Sequence, residues 1–227
     1  MSQNNKIFSV ILARGGSKGI PNKNLVDING HPLIHYSIKS SLLSKCDETW
    51  VSTDCKAIKD ASLSLGASVL DRPAELATDT STSESALIHF CQNVDCDYVV
   101  FLQPTSPLLS HGDINKGISL ITSSKCDSVI SCYEEEWCGK WTHEPALATL
   151  PSQFRALNYI NGKRPRRQDV KYPLYIENGA FYISKREDII REGNRFSGTI
   201  DKIVMPFIRS FQIDTPEDLD LIRKIML

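Results

Sequence analysis

The residues best suited to chemistry lie in a glycine-rich basic segment, residues 12–24, with the sequence LARGGSKGIPNKN. Its three cations, Arg14, Lys18 and Lys23, have the charge to bind a triphosphate. Glycine lets the backbone approach an anion closely, and its free N–H groups can line a phosphate-binding concavity. The spacing matches neither the Walker A loop nor the dinucleotide-binding loop. We therefore predict a phosphate-binding loop of another kind, with a solvated basic turn as the alternative.

Two other groups of polar residues are candidates for binding a ligand. Gln103 follows an apolar run, residues 98–102, and its amide can both donate to and accept from a polyhydroxylated ligand. The cations Arg164, Arg166 and Arg167 could bind a carboxylate, which arginine does with a bidentate fork. A turn without a ligand and a basic surface patch are the alternatives for these two groups.

The chain around these candidates alternates between strand-like apolar runs and helix-like periods. The predicted strands are residues 7–13, 49–53, 67–70, 98–102, 128–132, 179–184 and 202–207. We expect Asp54, Asp113 and Thr215 to begin three of the helices. This alternation predicts an α/β fold, with a mostly parallel sheet and helices on both faces. In such sheets the active site lies beyond the carboxyl ends of the strands. The loops there start at Arg14, Asp54, Arg72, Gln103 and Tyr133.

The alternation stops at residues 134–172, which include Trp137, Trp141 and a run of cations. This segment is too long to be an ordinary connector. We predict that it is an insertion that serves as a dimerisation arm or as a subdomain that closes over substrate. Residues 1–133 and 173–227 would then form the α/β domain, and we expect a homodimer.

Composition argues against several classes of function. The chain has 227 residues and a formal net charge of -1, which gives no field that would attract nucleic acid or an anionic membrane. No apolar run approaches the roughly 18–20 residues that cross a bilayer, and residues 7–13 lack the pattern of a secretory signal, so we expect a cytoplasmic protein. The seven cysteines include no C-x-x-C pair, and the five histidines are scattered. We predict free thiols and no transition metal.

Residues 12–24 resemble the nucleotide-binding signature of the CMP-sugar synthetases. This family includes CMP-N-acetylneuraminate synthetase and its relatives for legionaminic, pseudaminic and ketodeoxyoctonic acids. Related nucleotidyltransferases for other bases more often begin with Leu-Ala-Gly-Gly, whereas this chain has Arg14 in place of the first glycine. Further matches follow in the family's order and extend over residues 7–220. They are residues 51–54, 72–80 with Ser83, 103–107, 166–169, 178–182 and 213–215.

The resemblance implies a Rossmann-like nucleotidyltransferase that transfers CMP from CTP to the anomeric hydroxyl of a nine-carbon sugar acid and releases pyrophosphate. The sugar would be of the N-acetylneuraminate or legionaminate type. The resemblance also implies Mg²⁺ as cofactor with Asp214 as its ligand, and Arg14, Lys18 and Asp214 as catalytic residues. The implied nucleotide-binding residues are Arg14, Gly15, Gly16, Ser17, Lys18, Lys23, Asn24, Arg72, Ala77 and Ser83. The implied sugar-binding residues are Gln103, Thr105, Ser106, Arg167, Gln168, Asn178, Gly179 and Tyr182.

The chain departs from the family pattern at three positions. Gln212 stands where sialic-acid enzymes often have the first acid of Asp-Ile-Asp, so Asp54 or a water would complete the metal shell. Leu109 stands where relatives commonly have arginine, and Ile176 stands where some sialic-acid members have it. These differences leave ketodeoxyoctonic and pseudaminic acids open as acceptors. A nucleotidyltransferase for a sugar phosphate and a catalytically silent nucleotide-binding module are the more distant alternatives.

Two of the implied ligand-binding residues have a second interpretation. Arg72 could form an ion pair with Asp71 or Glu75 instead of contacting the nucleotide. Tyr182 could pack against an N-acyl methyl group of the sugar or belong to the core.

Overall fold

The computed structural model describes residues 5–123, 125–136, 139–144, 153–160, 163–170 and 173–227. The strands in these residues are β1 (Ile7–Leu12), β2 (Asp27–Ile28), β3 (His31–Pro32), β4 (Glu48–Thr53), β5 (Ser68–Asp71), β6 (Tyr98–Leu102), β7 (Ser128–Glu135), β8 (Trp141–Glu144), β9 (Gln153–Ala156), β10 (Leu174–Lys185) and β11 (Ile200–Val204). The helices are α1 (Leu33–Leu42), α2 (Lys56–Ser64), α3 (Ser83–Asn93), α4 (His111–Thr122), α5 (Arg186–Glu192) and α6 (Pro216–Ile225).

The central sheet has seven strands in the order β11-β7-β10-β6-β1-β4-β5. β1 pairs in parallel with β4 and β6, β4 pairs in parallel with β5, and β11 does so with β7. The seven predicted strands are these seven, so the prediction of a mostly parallel α/β sheet is confirmed. β10 runs antiparallel to β6. The sequence did not predict this reversal, because the segment before β10 is long enough for either direction.

Helices cover both faces of the sheet, because successive residues of a strand point to opposite sides. In β1, Ile11 packs in the same cluster as Ile38 of α1, whereas Val10 packs with Phe90 of α3. All four side chains are essentially inaccessible to solvent. The middle of the sheet is therefore a rigid platform for the loops at its carboxyl edge.

A third apolar cluster lies beside the glycine-rich segment. It contains Ile20 from that segment, Leu33 at the start of α1, Ile213, and Leu219 of α6. Each of these side chains is buried. Because Ile20 and Ile213 are buried in one cluster, the glycine-rich segment lies close to Asp214, which follows Ile213.

The residues that begin the helices were predicted with mixed success. Thr215 begins α6 as predicted, and its side chain accepts a hydrogen bond from the backbone N–H three residues later. The prediction for Asp113 is wrong, because Ser110 caps α4 and Asp113 is the third residue of a capping box. The prediction for Asp54 is also wrong. The residue before α2 is Cys55, whose side chain makes no capping hydrogen bond.

The chain divides into two compact units, Met1–Tyr133 with Glu177–Leu227 and the intervening Glu134–Ile176. The second unit contains the antiparallel pair of β8 and β9, and the ring of Trp141 meets that of Tyr159 edge to face. Trp137 lies outside the described residues, and the role of this unit as a dimerisation arm stays a prediction.

The structure also bears on the state of the cysteines and on membrane-spanning helices. Six cysteines in the described ranges are free thiols, and Cys138 lies outside those ranges. None of the helices in the described part of the chain has both the length and the apolar character needed to cross a bilayer.

Candidate active site

A polar cleft of about 250 Å³ lies at the carboxyl edge of the sheet, in the first unit. Three segments that are far apart in sequence line it: the glycine-rich segment after β1, the segment between β5 and α3, and the loop after β6. The lining side chains include Arg14, Ser17, Lys18, Lys23, Asn24, Arg72, Ser83, Gln103 and Thr105. The structure thus brings most of the sequence-predicted nucleotide residues and two of the sugar residues to one place.

The path of the glycine-rich segment depends on close backbone contacts. The N–H of Gly15 donates to Asp54 Oδ1 at 2.9 Å, and a side chain at Gly15 would collide with Cys55, whose Cβ would lie 2.9 Å away. A side chain at Gly19 would come within 2.6 Å of the backbone oxygen of Asp214. Glycine is therefore required at both positions, and the second one brings Asp214 against the loop. Asp54, which failed as a helix cap, instead fixes the start of the loop.

Asn24 is buried, and its amide donates to the backbone oxygen of Arg14 at 3.0 Å. This hydrogen bond ties the end of the segment back to its beginning. Asn24 also lines the cleft, so its predicted contact with the nucleotide stays open to test.

The first two cations of the segment share one carboxylate. Arg14 Nη1 donates to Asp79 Oδ1 at 2.9 Å and to the backbone oxygen of Thr78 at 2.7 Å. Lys18 Nζ lies 3.0 Å from Asp79 Oδ2. Both cations are partly exposed, and Lys18 is 75% exposed. Asp79 was not among the predicted site residues. The signal that could have found it is an acid within the implied base-binding segment, opposite a loop with three positive charges.

The third cation has a different partner. Lys23 Nζ donates to Asp214 Oδ1 at 2.9 Å and to the backbone oxygen of Ile213 at 3.1 Å. Its side chain is only 18% exposed. Lys23 therefore links the glycine-rich segment to the start of α6, which the sequence did not predict.

Arg72 is buried at the end of β5 and donates to Ser52 twice, from Nε to Oγ at 3.1 Å and from Nη2 to the backbone oxygen at 2.6 Å. Burial lowers the pKa of Arg72 to about 10; Asp54 opposes this shift and Arg14 adds to it. Neither alternative ion pair of Arg72 is formed: Asp71 pairs with Lys59 at 2.7 Å, and Glu75 has no ion pair with Arg72 within the described residues. The guanidinium is thus held by β4 at the wall of the cleft.

The loop after β6 is fixed by its backbone, which leaves side chains available. The backbone N–H of Gln103 donates to the backbone oxygen of Ala180 at 3.1 Å. The backbone oxygen of Thr105 accepts from the backbone N–H of Ile213 at 2.9 Å. Thr105 Oγ1 and Ser106 Oγ are buried and have no hydrogen-bond partner within the described residues. A buried hydroxyl without a partner is uncommon, so a ligand in the cleft could supply one to Thr105.

A family model described as cytidylyltransferase matches residues 8–227 of the chain. The chain belongs to the cytidylyltransferase family. Among curated relatives, it is 35% identical over 219 residues to the N-acylneuraminate cytidylyltransferase of Streptococcus agalactiae serotype V, covering 94% of this chain and 51% of that protein. It is 34% identical over 213 residues to N-acylneuraminate cytidylyltransferase B of Danio rerio, covering 93% of this chain and 49% of that protein. The chain therefore spans about half the length of these relatives.

Solved structures of other cytidylyltransferases share the fold. One is CMP:2-keto-3-deoxy-manno-octonic acid synthetase complexed with CTP, with a TM-score of 0.70, 18% identity, and coverage of 97% of this chain and 98% of that chain. Another is 4-diphosphocytidyl-2C-methyl-D-erythritol synthase from Anaerococcus prevotii, with a TM-score of 0.69, 14% identity, and coverage of 98% and 96%. At these identities the likeness concerns the fold alone.

Six of the eight sugar residues implied for this cytidylyltransferase-family chain are not among the residues that line the cleft: Ser106, Arg167, Gln168, Asn178, Gly179 and Tyr182. The side chain of Asn178 is buried and donates to Ser210 Oγ at 2.9 Å, and Gln212 Nε2 donates to the Asn178 backbone oxygen. Gly179 follows with a φ of 65° and packs against the amide of Gln212. These contacts are internal to the fold, so Asn178 and Gly179 position the chain around Gln212.

Of the two placements considered for Tyr182, the structure shows the core. Its ring is 3% exposed and stacks on Phe101, with 5.7 Å between ring centroids. Its hydroxyl donates to Glu177, and burial followed by this contact raises the pKa of Tyr182. The ring therefore belongs to an apolar core cluster and does not line the cleft.

Arg167 and Gln168 lie in the second unit of this family member, in a short turn, Arg167–Asp169. Arg167 Nη2 donates to Glu136 Oε1 at 2.7 Å, and both side chains are largely exposed. The role of these residues toward a sugar carboxylate stays a prediction.

The described residues contain no cluster of three or more His, Cys, Asp or Glu side chains that could hold a metal ion. The predicted ligand, Asp214, is a single carboxylate, 63% exposed, that lies against Gly19 and Lys23; those two residues line the cleft, and Asp214 is not among the lining residues. Magnesium commonly takes one or two protein carboxylates and completes its shell with water and substrate phosphates. One exposed carboxylate next to a loop with three cations fits that requirement.

Proposed function

We propose that the chain transfers CMP from CTP to the anomeric hydroxyl of a nonulosonic acid, of the N-acetylneuraminate or legionaminate type, and releases pyrophosphate. The observation that carries this proposal is the single cleft in which Arg14, Lys18, Arg72 and the loop of Gln103 meet. The names of the Streptococcus agalactiae and Danio rerio relatives support the N-acylneuraminate acceptor. The CTP complex of a structural neighbour is consistent with the choice of nucleotide.

The proposed reaction is a direct displacement at phosphorus. The oxygen of the sugar's anomeric hydroxyl attacks the α-phosphorus of CTP and loses its proton, while the bond from the α-phosphorus to the bridging oxygen breaks. Pyrophosphate leaves with the bonding electrons, and CMP stays on the sugar. No covalent enzyme intermediate is required. The protein contributes in-line positioning and charge neutralisation, which are the main sources of rate enhancement in phosphoryl chemistry.

The triphosphate would bind the glycine-rich segment. Arg14 and Lys18 would neutralise its charge, and the backbone N–H groups of Gly16 and Ser17 would add hydrogen bonds. Lys23 also lines the cleft, but its ammonium group is paired with Asp214, so we assign it a role in positioning that carboxylate.

The cytosine and ribose would bind the segment between β5 and α3. Cytosine presents an amine donor beside acceptors, so it requires donors and acceptors held in a fixed frame. Arg72 is held rigidly by Ser52, and Ala77 to Ser83 offer backbone groups and a hydroxyl beside it. The sugar would bind the loop of Gln103, where the buried hydroxyl of Thr105 has no partner among the described residues.

Magnesium, when bound, would neutralise phosphate charge and acidify the attacking hydroxyl. Asp214 would hold it, with phosphate oxygens and water completing the shell. Gln212 offers only a neutral amide oxygen in place of a carboxylate, since its amide nitrogen donates to the backbone oxygen of Asn178.

The test is a panel of four nucleotides crossed with N-acetylneuraminic, legionaminic, pseudaminic and ketodeoxyoctonic acids, scored by pyrophosphate release. We expect release with CTP and one of the first two acids. Release with CTP and only the other acids would replace the proposed acceptor. A requirement for UTP or GTP would contradict the cytidylyltransferase activity itself. No release with any pair, although CTP binds, would indicate a silent nucleotide-binding module.

We also propose that the protein is a homodimer and that it acts in the cytoplasm. The support for the dimer is the insertion at residues 134–172, which is longer than a connector needs to be. The support for the location is the free thiol state of the six cysteines in the described ranges, which is typical of a reducing compartment.

A further inference from the structure

Asp79 occupies a position that the proposed function assigns to the substrate. Its two carboxylate oxygens contact different cations, Oδ1 with Arg14 at 2.9 Å and Oδ2 with Lys18 at 3.0 Å. These are the two cations of the glycine-rich segment that have no link to Asp214. One carboxylate therefore bridges the pair in the way that a phosphate group would.

The bridge depends on side chains that can move apart. The side chains of Asp79 and Lys18 are 47% and 75% exposed, so neither is packed in place by apolar contacts. Arg14 is less exposed, at 31%, and keeps a second hydrogen bond to the backbone oxygen of Thr78. If Asp79 withdraws, Arg14 thus stays anchored at the cleft wall. Two cations would then face the cleft without their internal anion.

The charges favour exchange of one anion for another. Asp79 carries one negative charge, and the neighbouring cations hold its pKa below the usual range, with Lys18 the largest contributor, so it is ionised at neutral pH. A nucleoside triphosphate carries several negative charges and can contact both cations at once. A carboxylate left among those phosphates would repel them. Binding of the triphosphate therefore requires that Asp79 give up both contacts.

We propose that Asp79 is an internal competitor for the phosphate subsite, which holds Arg14 and Lys18 together and is displaced by the triphosphate of CTP. This inference rests on the proposed function, since it assumes that CTP binds this cleft. Asp79 lowers affinity for the phosphate part of the ligand and leaves affinity for the base unaffected. It thereby limits how tightly the enzyme retains CTP and the pyrophosphate product.

The opposite role for Asp79 is structural support. By pairing with Arg14, it could keep residues 77–83 against the glycine-rich segment and so shape the base-binding region. The two roles predict opposite results when the carboxylate is removed. An internal competitor leaves a tighter phosphate site behind, whereas a support leaves a weaker site for the whole nucleotide.

The experiment compares the full chain with its Asp79→Asn variant. Calorimetry without a sugar acceptor measures the Kd for CTP and for pyrophosphate, and an NMR titration measures the Kd for cytidine, which lacks phosphate. Because exposed ion pairs contribute modestly, we expect the variant to bind CTP and pyrophosphate about three- to tenfold more tightly, with cytidine binding unchanged. Unchanged or weaker pyrophosphate binding would overturn the proposal, and a parallel loss for CTP and cytidine would establish the support role.

Two controls make the result specific. Asp71→Asn removes an exposed carboxylate that pairs with Lys59 at 2.7 Å and does not line the cleft, so we expect it to leave all three Kd values unchanged. In a Lys18→Ala background, Asp79→Asn should tighten pyrophosphate binding by a smaller factor, because one of its two partners is gone. An undiminished factor would mean that Asp79 does not act through Lys18 and would count against the proposal.

Failure of this inference differs from failure of the proposed function. If the wild-type chain binds neither CTP nor pyrophosphate, the proposed function fails. If it binds both and Asp79→Asn has the same affinities, only the role of Asp79 fails.

Discussion

At the scale of single residues, the three cations of the glycine-rich segment form ion pairs with two different acids. Arg14 and Lys18 contact Asp79, whereas Lys23 contacts Asp214. The first two are more exposed than Lys23, so a ligand can reach them with less rearrangement. We therefore expect Arg14 and Lys18 to bind the triphosphate and Lys23 to have a positioning role.

Removal of either cation that we propose to bind phosphate should slow the reaction severely. We expect Arg14→Ala and Lys18→Ala each to lower kcat/KM for CTP by about 10²–10³, the usual effect of losing one donor to a charged transition state. Steady-state pyrophosphate release at saturating sugar acid measures it. Lys59→Ala is the matched control, because Lys59 pairs with Asp71 and does not line the cleft. Normal turnover by Lys18→Ala would contradict the proposed triphosphate site.

The carboxylate of Asp214 should govern the dependence on magnesium. Asp214→Asn keeps the shape of the side chain but removes its charge, so we expect about 10²–10³ lower kcat/KM and a higher Mg²⁺ concentration for half-maximal rate. The measurement is a magnesium titration of the rate. Asp220→Asn on the same helix is the control, since Asp220 is exposed and its ion pair with Arg223 spans 3.6 Å. An unchanged magnesium titration in Asp214→Asn would exclude Asp214 as the ligand.

At the scale of elements, one ion pair joins α4 to the turn that leads toward Asp214. Arg209, in the turn Phe207–Arg209, donates from Nη2 to Asp113 Oδ1 at 3.0 Å and from Nη1 to Ser110 Oγ at 3.1 Å. Asp113 is 2% exposed and is also part of the capping box of α4. This contact fixes α4 against the chain that enters the active site.

The Arg209–Asp113 pair should stabilise the fold in a pH-dependent way. Burial by itself would raise the pKa of Asp113, but hydrogen bonds from Arg209 and Ser110 outweigh it and lower the pKa below its usual value. Asp113 therefore stabilises the folded chain above about pH 4, the usual aspartate pKa, and this contribution is lost as the pH falls through the lowered value. We expect Arg209→Met to reduce the free energy of unfolding by about 1–3 kcal/mol at pH 7, with a smaller difference near pH 3.

Urea denaturation at the two pH values measures this effect. Lys56→Met is the control, because Lys56 forms an exposed ion pair with Asp60, which contributes little. An equal loss for Arg209→Met at both pH values would mean that apolar packing of the arginine, and not its charge, is responsible.

At the scale of the whole molecule, the second unit, Glu134–Ile176, interrupts the α/β fold between β7 and β10. We expect the protein to sediment as a dimer at micromolar concentrations, since an insertion of this length has more surface than a connector requires. Analytical ultracentrifugation across a dilution series measures the state. A single monomeric species throughout the series would contradict the dimer.

Much of the cleft lining was predictable from local pattern, and the differences between prediction and structure have physical causes. The loop at residues 12–24 could be predicted because its glycines and its three cations all lie in one short segment. Tyr182 and Asn178 were assigned to a ligand because the neighbouring sequence matches the family, yet the side chains face the core and Ser210. Asp113 was predicted as a helix cap because aspartate is common at the N-cap, but Ser110, three residues earlier, occupies that position.

The sequence by itself determined the seven strands of the sheet, their mostly parallel arrangement and the position of the glycine-rich loop after the first strand, because hydrophobic periodicity and glycine spacing act over a few residues. The tertiary structure alone decided which charges meet. Arg14 and Asp79 are 65 residues apart in the chain, and Lys23 and Asp214 are 191 apart. Such pairs form only after the strands pair into one sheet, which brings their carboxyl ends to one edge. No local pattern contains that information.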